Sequence, residues 1–126
     1  MKGVEWVLRI AIFGTFLGHG IFALQGKESW IGWVAALTGW NTLLATQALF
    51  FIGLIDISVA VIVLLRPVNI VLLWAVLWAF WTALMRPLPF IGDPIWDFVE
   101  RWANWGAPLA LLLLRGWPRR LRDWFK

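Results

Sequence analysis

Four long apolar stretches, separated by short polar joints, account for most of this chain: residues 6–24, 43–65, 68–85 and 97–114, each 18 to 23 residues long. A helix rises 1.5 Å per residue and the hydrocarbon core of a bilayer is about 30 Å thick, so ~20 consecutive apolar residues make one crossing. The pattern predicts an all-α membrane protein, a four-transmembrane-helix bundle forming a single domain over 1–126. Composition points the same way, with 62% hydrophobic and 14% charged residues and a mean hydropathy of +0.80. A water-soluble domain does not carry that ratio. The absence of Cys excludes disulfides, iron–sulfur clusters and cysteine zinc sites.

The joints set the elements. The first stretch, WVLRIAIFGTFLGHGIFAL, reads as a retained helix because its apolar run continues through Gly18-His19-Gly20 with no small-x-small cleavage pattern. Gly14 and Gly18 stand in small-xxx-small spacing, which predicts a face for close helix packing. Residues 27–40 carry Trp30, Trp33 and Trp40 behind a polar start and are too short to cross, so a short interfacial helix is expected there. Arg66-Pro67 ends the second span and opens the third in a tight hairpin, since a residue before Pro disfavours the helical region and Pro suits a helix start. Arg86-Pro87 ends the third span, along which Trp74, Trp78 and Trp81 form a stripe that reads as core or lipid packing. Pro87, Pro89, Gly92 and Pro94 make a rigid loop. Asp93, Asp97 and Glu100 cluster at the start of the fourth span, where the helix dipole favours acids, with Asp97 and Arg101 spaced as an i, i+4 ion pair.

Charge distribution orients the bundle. Lys2, Arg9, Arg66, Arg115, Arg119, Arg120, Arg122 and Lys126 fall on one side, and Lys27, Arg86 and Arg101 on the other. The excess places both termini in the cytoplasm of a multi-pass protein. The net charge of +4 therefore expresses topology rather than a nucleic-acid surface. The tail over 115–126, with Arg119, Arg120, Arg122, Trp117 and Trp124, reads as an anchor to anionic lipid headgroups.

Polar groups at bilayer depth are costly unless paired or solvated, and each is a candidate site. Asp56 lies mid-span, about 13 Å from Leu65. It reads as a carboxyl fixed by Arg9, Asn104 or an indole N–H, or as a group coupling proton or cation movement. His19, Asn104 and Thr82, with Arg86 and Glu100 at the rim, fall at similar depth near the opposite end and are expected to form one ligand pocket. A lone His can hydrogen-bond a quinone carbonyl, or ligate the metal of a pigment or haem, or be satisfied by its neighbours. No catalytic constellation and no metal-ligand cluster is present.

The motifs Arg9, Gly18-His19-Gly20 followed by FAL, Gly53-Leu-Ile-Asp56, WAFWTALMRP over 78–87 and ERWANWGAPLALL over 100–112 resemble the DoxX-like group of small four-helix bacterial membrane proteins. That resemblance covers most of the chain. It implies a bacterial inner-membrane location and a membrane subunit with a quinone connection at His19, Asp56, Arg86, Glu100 and Asn104. The function expected is a non-catalytic accessory or assembly subunit of a larger membrane redox or photosynthetic-type complex, packed against its partner subunits through Trp-rich faces. Two alternatives stand beside it: a quinone-binding component of a membrane oxidoreductase using His19, Arg86 and Asn104, and a small proton-coupled transporter, working as a homodimer, that uses Asp56.

Overall fold

A computed structural model describes residues 2–126, which form helices joined by short turns and loops, with no strand among them. The helices are α1 (Lys2–Leu24), α2 (Glu28–Thr38), α3 (Thr42–Leu65), α4 (Asn69–Leu84), α5 (Ile95–Val99) and α6 (Trp102–Arg115), followed by a 3-10 helix at Leu121–Phe125. Two of them, α1 and α3, are long and apolar enough to cross a membrane. At 1.5 Å per residue the 16 residues of α4 reach about 24 Å and the 14 of α6 about 21 Å.

The long helices pack antiparallel, α1 along α3, α1 against α6 and α6 along α4, while α3 and α4 touch only lightly despite being consecutive. Their buried stripes follow helical spacing, with Ile12, Phe16, Gly20 and Ala23 on α1 and Leu49, Gly53, Asp56, Val59, Ala60 and Val63 on α3. The core joins Ile12, Phe16, Val63, Leu72, Leu111 and Leu112 around the small side chains of Ala60, Ala75 and Ala79. Large apolar side chains also cover the outside: Val7, Leu43, Phe51 and Leu65 are 64% to 73% exposed.

Several expected features take another form. The close helix contact is at Gly20, not at Gly14 and Gly18, beside which a Cβ would meet nothing within 4 Å. Gly20 faces Gly53: a Cβ on Gly53 would lie 2.8 Å from the Gly20 carbonyl oxygen and 3.0 Å from the Leu24 nitrogen. The apolar period alone could not say which glycines turn inward. The fourth stretch is broken rather than continuous from residue 97, because Arg101 leaves the helix and turns its guanidinium back onto the Asp97 carbonyl oxygen at 2.7 Å. That arginine is ion-paired with Glu100 at 2.7 Å, so the spaced Asp97–Arg101 carboxylate pair does not form. Arg9 is likewise not Asp56's partner. It donates to the carbonyls of Val63 and Leu64 at the end of α3 and lies 3.9 Å over the Trp6 ring, a cation on the negative end of a helix.

The basic tail, expected as a lipid anchor, docks on the bundle. Asn69, buried at the start of α4, receives Arg115 Nε on its side-chain oxygen at 3.2 Å and donates Nδ2 to the Asp123 carbonyl at 2.8 Å. Its backbone N–H reaches the Lys126 carbonyl at 2.9 Å. Trp124 packs against the core and meets Trp117 edge-on, which leaves Trp117, Arg119, Arg120 and Arg122 as the exposed part of the expected anchor.

Gly53→Ala should lower stability by about 1–3 kcal/mol, because backbone surrounds the new methyl group and must move. Gly18→Ala should be neutral or slightly stabilising. Thermal unfolding of the two purified variants checks the contrast, and equal melting temperatures would refute the crossing point. Asn69→Ala should free the tail, removing hydrogen bonds worth about 1 kcal/mol each, and speed tryptic cleavage after Arg119, Arg120 and Arg122 relative to the unmodified chain.

Candidate functional site

α3 and α4 diverge above their hairpin, and α2 folds across the gap. The result is a cavity of about 430 Å³ walled by α1, α2, α3, α4 and α6. His19 enters from α1, immediately before the Gly20 contact; Asp56 enters from α3, one turn beyond Gly53. Thr82 and Arg86 come from the end of α4 and Asn104 from the start of α6. Four of the five residues expected to form a pocket therefore meet in one place. Glu100 does not line it; its carboxylate holds Arg101, which does. Asp56, expected mid-span within reach of Asn104 or an indole N–H, lines the same cavity as Asn104 and Trp78.

Indoles supply most of the wall: Trp30, Trp33 and Trp40 from the α2 segment, Trp78 and Trp81 from α4. His19 meets Trp30 edge-on with ring centres 5.8 Å apart, and Trp30 stacks on Trp33 at 6.4 Å. The Arg86 guanidinium lies 4.8 Å from the centre of the Trp33 ring, so the roof is tied to α4 by a cation–π contact. Trp30, Trp33, Val34 and Leu37 repeat at i, i+3, i+4 and i+7, and all face the cavity. That spacing was a readable sign that the segment covers something apolar; the Trp content alone directed it to a lipid interface.

Hydrogen-bonding capacity is left open inside. Asp56 is 4% exposed and its Oδ1 has no hydrogen-bond partner among the described residues. Trp30 Nε1 and Arg86 Nε are buried and unpartnered in the same way. All three belong to cavity-lining residues. Thr82 spends its hydroxyl proton on the Ala79 carbonyl at 3.1 Å, which makes it an acceptor toward the cavity. Pro108 has no N–H to give the Asn104 carbonyl four residues earlier, so a main-chain acceptor is freed beside the Asn104 amide. The rim is positive. Arg86, only loosely paired with Asp93 at 3.9 Å, stands with Arg101. Chemically this is an indole-lined cavity that offers both donors and acceptors. Among the described residues no group of three metal-ligating side chains is brought together.

No family model, no curated protein and no solved structure matches the chain. The comparisons therefore give the DoxX-like resemblance no support; of its motif residues, His19, Asp56, Arg86 and Asn104 line the cavity.

Because the hydroxyl of Thr82 is satisfied within α4, Thr82→Val should change the melting temperature by less than about 2 °C, whereas Trp33→Ala, which opens the roof and strands Arg86, should lower it by several degrees. Equal losses for the two variants would contradict the assigned contacts.

Proposed function

We propose that this chain is a four-pass membrane protein, both termini on the cytoplasmic side, whose cavity binds a planar, carbonyl-bearing ring of the quinone class. One observation carries the reading: His19, Asn104, Thr82 and Arg86, from three helices, meet in a single indole-walled cavity that also contains unpartnered buried polar atoms. A volume of about 430 Å³ lies within the ~300–1,000 Å³ of small-molecule sites, which are mostly apolar with a few convergent polar groups. Flat indoles suit a flat ring. His19, the Asn104 amide and Arg86 supply donors for ring carbonyls, and the positive rim favours electron-rich oxygen over cations.

The membrane placement is supported by the exposed apolar side chains of α1, α3 and α4 and by the gathering of Arg9, Arg115 and the tail at one end of the bundle, with Lys27, Arg86 and Arg101 at the other. α4 and α6 are short for a crossing, and the turns at 85–88 and the α5 segment extend them toward a full span. Because the chain has no Cys, single introduced cysteines report sidedness cleanly. Ser29→Cys should react with an impermeant maleimide from outside intact cells and Arg122→Cys only after permeabilisation; the reverse pattern would overturn the orientation.

Quinone binding is tested by titrating the detergent-purified protein with a short-chain naphthoquinone or benzoquinone by calorimetry. Saturable one-to-one binding is expected, weakened roughly tenfold by His19→Ala and by Asn104→Ala, the loss of about one hydrogen bond each. No saturable binding would overturn the reading. The exposed apolar surface is what lipid contact requires, so an accessory-subunit role ranks behind the cavity.

Asp56 favours a second reading. A buried carboxyl oxygen without a partner, beside Trp78 in an indole box, is also the chemistry that holds a lipophilic cation. Proton-driven uptake of such a cation into proteoliposomes, lost in Asp56→Asn, would favour this reading; absence of uptake by the unmodified protein would remove it.

A further inference from the structure

Resting on the quinone-binding reading, we infer that the ligand carries a hydrocarbon tail, which leaves the cavity through the seam between α3 and α4 and lies in a second hollow on the outer face of those helices. That hollow, about 400 Å³, is lined by Leu54, Ile55, Ile62, Ile70, Val71 and Trp74, among others. Ser58 is the one polar side chain in it, and its hydroxyl is already given to the Leu54 carbonyl at 2.8 Å. The hollow therefore makes no demand for a polar occupant. Along α3 it runs from Phe51 to Ile62, about 16 Å at the helical rise.

The two hollows share a boundary. Phe51 lines both. Opposite it on α4, Trp74 lines the outer hollow and Trp78 the cavity, and these two indoles stack face to face, 5.5 Å apart and 9° from parallel. A ring held beside Trp78 thus has an apolar hollow next to it, on the side of the bundle rather than at either end. The other seam of α3 is closed, because Gly20 and Gly53 bring α1 and α3 into backbone contact. At the α3–α4 seam the helices touch only lightly, and Phe51, 64% exposed, stands where the two hollows meet. A molecule with a polar ring and a hydrocarbon chain, a prenylated quinone, fits both hollows at once and enters from the bilayer past Phe51.

A tail moving from lipid to groove exchanges one apolar surrounding for another, so the gain is packing alone and is modest. The experiment uses a prenylated quinone bearing a photoreactive group on its first isoprene unit, with the full chain in lipid nanodiscs and concentrations taken as mole fraction in lipid. Cross-links are expected in the peptides holding Ile55, Ile62 and Trp74, and the tailed quinone should bind roughly tenfold more tightly than its ring alone. Ser58→Trp, which fills the hollow from an exposed position, should abolish those cross-links and the tail's advantage while leaving ring binding within about twofold. Leu65→Trp, exposed on the same helix outside the hollow, should change neither. Cross-links spread evenly over the apolar surface, or a tail advantage that survives Ser58→Trp, would overturn the inference and leave the cavity reading intact. A photoreactive phospholipid labelling the hollow at a yield unaffected by saturating quinone would also overturn it. Failure of the unmodified protein to bind even the ring would overturn both.

Discussion

The backbone contact between Gly20 and Gly53 governs the arrangement of everything above it. With no side chain on either residue, α1 and α3 approach until a Cβ on one would lie within 3.0 Å of main-chain atoms on the other. In a bilayer this is how helices associate, since lipid offers apolar side chains no gain from leaving it and close packing must supply the attraction. The contact draws α3 toward α1 and away from α4, whose own packing is committed to α6. The cavity is the consequence on the inside and the outer hollow the consequence on the exposed face of the two helices. His19 precedes Gly20 directly and Asp56 follows Gly53 by one turn, so the two residues with the most chemistry on these helices are held by the tightest joint in the molecule.

The opposite end is secured by electrostatics rather than close packing. Arg9 takes the last carbonyls of α3, and Arg115 bridges Glu5 at 3.4 Å and Asn69 at 3.2 Å. Asn69 then holds the returning tail through its side chain and its backbone. The ends of α1, α3, α4 and α6 and the terminal 3-10 helix are thus joined, in part by donors to carbonyls that a helix end would otherwise leave unsatisfied. The basic residues that define the expected cytoplasmic side are, for Arg9 and Arg115, also the fasteners of that side. A charge count assigns them to topology, whereas their hydrogen bonds assign them to the fold, and the same side chains serve both.

What could be read in the sequence was set by local chemistry. Arg66-Pro67 stops α3 and starts α4 where expected, and α2 forms as a short helix, because Pro and apolar run length act through neighbouring residues. Long-range partners were not legible. Gly14, Gly18 and Gly20 offer the same absent side chain, and only the α3 face opposite decides which is used. Nothing near Arg9 in the chain shows that Val63 and Leu64 will take its donors before Asp56 can. The break at Arg101 depends on its side chain turning back on Asp97, a rotamer choice that competes with an otherwise continuous apolar pattern. The site was legible to the extent that depth along each helix predicts meeting, which brought His19, Thr82, Arg86 and Asn104 together and misplaced Glu100, whose depth was right and whose face was wrong.

The unpartnered atoms give the cavity its meaning. A buried polar group without a partner costs about 1–3 kcal/mol, and native proteins leave few of them. Here three of the four such side-chain atoms among the described residues, Asp56 Oδ1, Trp30 Nε1 and Arg86 Nε, belong to residues lining one cavity, and the fourth, Trp105 Nε1, lies outside it. Three such groups scattered through a core would signal poor packing, but three around one space define a shape that something polar must complete. Water can satisfy the polar groups but gains nothing from the indoles of Trp30, Trp33, Trp78 and Trp81. A flat ring with carbonyl groups can satisfy both, which is why the chemistry of the walls, rather than any single residue, directs the reading toward an organic ligand.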